Sequence, residues 1–181
     1  MRPRGKLDQP GTTQGVTHPG SGITFKAPQA WQVEVVGNEV LVALEPPRPH
    51  EESSRPPAFR ANLVLTVGER SGLDFRAWQA ATDHGLPALL DDYALIDLQR
   101  VVVGGLPGGR RLARHLSRNG DLLVMQQWCC LTSRLAITLT ATTDLPSFAP
   151  LLPAMQKASS SLTLPRGSTA PISSRLPAQQ R

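Results

Sequence analysis

The chain has 181 residues, 40% of them hydrophobic and 18% charged, with a formal net charge of +5, which fits one globular core and is short for two. The charge excess lies in the ends: taking Arg2, Arg4, Lys6 and Asp8 at the start and Arg166, Arg175 and Arg181 at the finish from totals of 19 basic and 14 acidic residues leaves 13 of each. A formally neutral central region excludes the concentrated Lys/Arg surface that nucleic-acid binding requires, and no apolar run reaches the roughly 18 residues of a membrane span.

The first 21 residues are rich in Gly, Pro, Thr and Gln and poor in large apolar side chains. Burial cannot offset the entropy of ordering such a stretch, so 1–21 is expected to be a disordered tail. The same holds for 165–181. Residues 22–164 are then a single domain. The start shows neither a signal peptide nor a lipobox cysteine, which predicts a cytoplasmic protein.

Within the domain, Ile23 to Pro28 reads as a short strand stopped by proline and leading to Trp31. Gln32–Val36 and Val40–Leu44 flank Gly37-Asn38, the pattern of a hairpin. Five prolines crowd the stretch that follows, so 46–58 is expected to be an exposed loop. Asn62 to Val67 is a strand ending at Gly68. Asp74 is placed to cap a helix carrying Phe75, Trp78, Leu86, Leu89 and Leu90, with Gly85 and Pro87 predicting a kink or two short helices.

Leu95 to Val103 is the next strand, and Gly104 to Gly109 is a glycine-rich reversal. A phosphate-cradling loop joins a strand to a helix. Here a second β run follows the glycines, which predicts a hairpin. Leu122 to Thr132 is apolar at both parities, the pattern of a central strand covered on both sides. Arg134 to Thr142 alternates and reads as half-buried. A closing helix from about Ser147 to Leu162, with Ser147 as cap, bears Phe148, Leu151, Leu152 and Met155 on one stripe.

Neighbouring strand side chains point to opposite faces, so Cys129 and Cys130 are expected to be two free buried thiols. No second pair completes a zinc site. His18 and His50 fall in segments expected to lack structure, His84 near a helix end, and His115 beside the arginines of one strand. With no nucleophile, base and orienting group in a recognisable arrangement, and Asp91 and Asp92 explained as solvated helix-end carboxylates, the chain is expected to be no enzyme. No catalytic residue, cofactor or metal is assigned. Trp78 and Trp128 are expected in the core. The candidate partner-binding residues are Trp31, if exposed, and the polar strand cluster Arg110, Arg111, Arg114 and His115. Parity places Arg111 and Arg114 on opposite faces of a strand lying at a sheet edge.

Gly22-Ile23-Thr24-Phe25 with Pro28 and Trp31, the Phe75 to Trp78 helix, the Gly105-x-Pro-Gly turn before a strand pair, and a terminal helix ending Ser161-Leu162 resemble the PsbP-like superfamily, including its DcrB-like and LpqN-type members. The resemblance spans roughly 22–164. It implies an α+β fold, a central antiparallel sheet with helices packed on it as an α/β/α sandwich. It also implies a noncatalytic protein-binding or chaperone-like accessory module whose partner is another protein, linked to a bacterial secretion or envelope system. The missing lipobox and the long Pro-rich insertion depart from the envelope lipoproteins. The alternative is a small-molecule or lipid-binding domain with a cavity between sheet and helix; a hydrolase with an unrecognised site ranks third.

Overall fold

The computed structural model describes residues 12–37, 40–47 and 59–165. Among them the chain forms β1 (Thr13–Thr17), β2 (Thr24–Pro28), β3 (Gln32–Val36), β4 (Val40–Leu44), β5 (Asn62–Glu69), α1 (Phe75–Leu89), β6 (Ala94–Val103), β7 (Leu106–Leu116), β8 (Leu122–Leu131), β9 (Leu135–Asp144) and α2 (Leu145–Ser160). β3 to β9 build one seven-stranded sheet in the order β3-β4-β5-β9-β8-β7-β6, antiparallel at every pairing. β1 and β2 form a separate two-stranded ribbon. The fold is therefore α+β, with two helices and the ribbon packed on a central antiparallel sheet.

The alternating aliphatic residues of the central strands explain where the core lies. Leu63 and Leu65 on β5, Ile137, Leu139 and Ala141 on β9, and Trp128 and Cys130 on β8 point to one face and are buried. α2 covers them with Met155 and Ala158, and the ribbon adds Val16, Phe25 and Ala27. A backbone bridge between Thr24 and Thr163 ties the ribbon to the end of α2. β8 is buried along almost its whole length, as its double apolar parity required.

Several expectations are corrected. Residues 13–17, placed in the tail by composition, form β1, which pairs with β2 from Thr13↔Pro28 to Thr17↔Thr24. Val16 and His18 are buried, and the His18 ring meets the Ser21 hydroxyl at 3.0 Å. What orders this stretch is a partner strand and the core beneath it, neither visible in five residues reading TQGVT. Residues 1–11 and 166–181 of the two proposed tails, and 48–58 of the Pro-rich loop, lie outside the described residues.

α1 is one continuous helix through Gly85 and Pro87. Pro87 falls in its last turn, where it removes the single N–H that would reach the Asp83 carbonyl and the helix ends two residues later, and the Leu90 N–H still reaches the Leu86 carbonyl at 3.0 Å. α2 starts at Leu145 because Asp144, not Ser147, is its cap: the Asp144 carboxylate accepts from the Ser147 N–H at 2.9 Å. The reversal between β6 and β7 needs only Gly104 and Gly105, both at positive φ (57° and 83°), and Gly108 and Gly109 belong to β7. The chain passes from strand to strand there, as the hairpin reading required.

Candidate functional site

Gly109 shows how α1 is seated. A Cβ at this position would lie 2.7 Å from Gln79 Oε1 and 3.2 Å from Phe75 Cζ, so glycine lets the helix approach the sheet opposite the apolar core. Yet α1 buries none of its residues fully. Trp78, expected in the core, is only half-buried and packs against Phe75 with ring centroids 6.2 Å apart. It sits on the less apolar of the two faces, and the main core forms without it.

Beneath α1 lies a polar array. Arg111 on β7 is 2% exposed; its guanidinium donates to Asp83 on α1 and to the side-chain oxygen of Gln127 on β8. Gln127 in turn donates to the Thr140 hydroxyl on β9 at 3.2 Å. The register sets this row, since Arg111 stands opposite Gln127 and Gln127 opposite Thr140. Cys129 is buried on the same face, 3.6 Å from the Gly109 carbonyl. Burial raises its thiol above the ordinary value against the lowering effect of Arg111, and likewise raises the nearby Tyr93 hydroxyl. Chemically, then, this array joins helix to sheet. Arg111 Nε and the Tyr93 hydroxyl are buried with no hydrogen-bond partner among the described residues.

The residues singled out in the sequence are not gathered into one surface. Arg111 and His115 are buried on the α1 side, where the His115 ring Nδ1 donates to the Leu116 carbonyl at 3.1 Å. Arg110 and Arg114 point to the other face and meet Asp97 at 2.9 Å and Asp92 at 2.6 Å. The parity split is as expected, but β7 is an interior strand between β6 and β8 rather than an edge, so the arginines are covered or charge-paired. Trp31 is also buried, at 7% exposure, within the α2-side core. Asp83, Gln127 and Thr140 were missed because a polar row across three strands and a helix becomes apparent only once the pairing register is known. The available signal was Gln127 at an inward position of a fully buried strand.

Trp31 does line a concavity, a groove of about 650 Å³ bounded by Thr12, Pro28, Glu45, Leu151, Ala154 and Lys157 among others. It lies between the Trp31 end of the ribbon, the end of β4 and the middle to last turns of α2. The alternative reading of the sequence asked for a cavity between sheet and helix; this groove is beside them, at the end of the layer. Among the described residues no cluster of His, Cys, Asp and Glu has the makings of a metal site, and no helix is long and apolar enough to cross a membrane.

The fold is shared with several solved structures. Among solved structures, LpqN of Mycobacterium tuberculosis, described as involved in cell envelope biogenesis, is similar at a TM-score of 0.60 and 17% identity over 85% of this chain and 91% of that one. The Saccharomyces cerevisiae Ran-binding protein Mog1p is similar at 0.60 and 12% identity, over 84% and 95%. Cyanobacterial PsbP (CyanoP) from Synechocystis is similar at 0.50 and 13% identity, over 91% and 99%. No protein-family model matches the chain, and no curated protein matches it. At these identities the likeness establishes the shared fold.

Proposed function

We propose that the chain is a noncatalytic protein-binding accessory module, acting with a protein of a bacterial envelope or secretion system, and that it does so as a chaperone-like adaptor in the cytoplasm. One observation carries this reading. The buried polar side chains beneath α1 are turned on one another as a clamp, while aliphatic side chains stand exposed at both ends of the sheet: Val33, Val35 and Val36 on β3, and Leu95, Ile96, Leu98 and Val102 on β6. Exposed aliphatic rows on otherwise polar surfaces mark interaction sites. Support also comes from Mog1p, a Ran-binding protein, and from LpqN, involved in envelope biogenesis, which share the fold.

A second reading has its own observation, the groove of about 650 Å³ beside Trp31, a size that suits a small molecule or a single acyl chain. Affinity capture by the tagged full chain, with native mass spectrometry of the purified protein, separates the two. The first reading expects one specific, stoichiometric protein partner, and its assignment to envelope or export machinery would support the finer proposal. A defined small-molecule mass addition with no retained protein would overturn the first reading in favour of the second.

A further inference from the structure

β6 ends the sheet. Among the described residues its only strand neighbour is β7, so along its outer side the backbone N–H and C=O groups face no other described strand. Such an edge is a template for another strand, and soluble proteins usually blunt it with Pro, Lys, bulges or short length. β6 has ten residues, ALIDLQRVVV, without Pro or Lys. Its single irregularity lies at its start, between Leu95 and Asp97, and from Asp97 to Val103 the ladder with β7 is unbroken. Seven residues of regular strand offer roughly 23 Å of template.

Four aliphatic side chains along this edge are uncovered. Leu95, Ile96, Leu98 and Val102 are 42% to 75% exposed. The register places Leu98, Arg100 and Val102 opposite Arg111, Gly109 and Pro107, hence on the α1 side, and Asp97 opposite Leu112 on the other. On that other side Asp97 is already bound to Arg110. Arg100 is exposed and, among the described residues, has no carboxylate partner. The outer row on the α1 side therefore reads aliphatic, cationic, aliphatic.

We infer that β6 is a docking edge for an extended segment of another protein, added antiparallel as an eighth strand, with an acidic side chain opposite or diagonal to Arg100 and aliphatic ones flanking it. The inference rests on the protein-binding reading above and specifies its surface. Backbone hydrogen bonds would supply affinity and the alternate side chains specificity, as in β-augmentation generally. A second copy of this chain fits less well. Residues directly opposite in an antiparallel pair share a face, and about a two-fold axis the α1 sides of both copies coincide. Asp97 lies on the other face, so the copy brings no carboxylate of β6 to Arg100.

The test uses the full chain and a displayed library of random twelve-residue peptides. Enriched peptides are expected to carry a carboxylate with aliphatic residues two positions away. Bound as synthetic peptides, they should slow amide exchange along Asp97 to Val103. Arg100→Glu, an exposed change, should weaken binding by about tenfold, and replacing the peptide's acid by Lys should restore it. Protection that falls beside Trp31 instead of on β6 would overturn the edge while leaving the protein-binding reading in place. Self-association abolished by Val102→Lys would overturn the choice of occupant. A library that enriches nothing would overturn the edge, and the broader reading would fall with it only if affinity capture also retained no protein.

Discussion

The two faces of the seven-stranded sheet are covered by different chemistry. On the α2 side, Leu63, Leu65, Trp128, Ile137 and Leu139 meet Met155, Phe25 and Trp31 in one apolar cluster. On the α1 side, Arg111, Gln127 and Thr140 meet a helix that buries nothing completely, and the central contact is an ion pair. Apolar burial scales with area and is indifferent to direction. A buried ion pair contributes little net stability, because desolvation offsets attraction, but it is intolerant of losing one partner. The α2 side is thus the source of stability, and the α1 side holds a helix at a defined position with little apolar support, the condition under which an element opens locally.

The sharpest way to break this contrast is to empty the apolar side. Leu139→Ala should cost about 3 kcal/mol in chemical denaturation, and a loss near zero would move the core elsewhere. The thiols give the next effect. Burial, with a smaller contribution from neighbouring Cys129, pushes Cys130 up to about 12 from an ordinary 9.0. The unfolded chain releases that proton near the ordinary value and the folded chain holds it to about 12, so folding stability falls as pH rises through that window. The slope approaches about 1.4 kcal/mol per pH unit from this group alone. Denaturation midpoints between pH 8 and 11 should show the decline, and Cys130→Ala should make it shallower, leaving the part due to Cys129 and Tyr93.

Arg111→Ala should cost about 2 kcal/mol, since the Gln127 oxygen and Asp83 lose their donor. Its signature is local: exchange protection should fall across α1, and alkylation of Cys129, beneath the helix, should accelerate while Cys130 on the opposite face stays slow. Equal acceleration of both thiols would mean that the two faces open together. Smallest is the cap. Asp74 accepts from the Ala77 N–H at 2.8 Å, so Asp74→Ala should cost about 1 kcal/mol, confined in hydrogen exchange to α1.

Periodicity made much of this architecture legible. Gln32–Val36 and Val40–Leu44 show their hairpin through Gly37-Asn38, and β8 shows its depth through apolar residues at both parities. Asp74 announces α1 because a cap is a local hydrogen bond within four residues. β1 was illegible since Thr13 to Thr17 has no apolar alternation of its own. The Asp144 cap was passed over for Ser147, which lies in the same turn and is an equally good cap by type. Among the site residues, parity separates Arg111 from Arg114 correctly, yet their charge suggests an edge strand where β7 is interior, because strand order depends on pairings between residues far apart in the chain.

Residues within a few positions of one another determined, by capping, turn chemistry and alternation, which segments are strands and helices and which side of each is apolar. Tertiary structure alone decided that β7 is interior and β6 terminal, that Arg111 is neutralised beneath a helix, and that Trp31 is covered. Those outcomes depend on which surfaces exclude water together, a property of segments meeting in space rather than of any one of them.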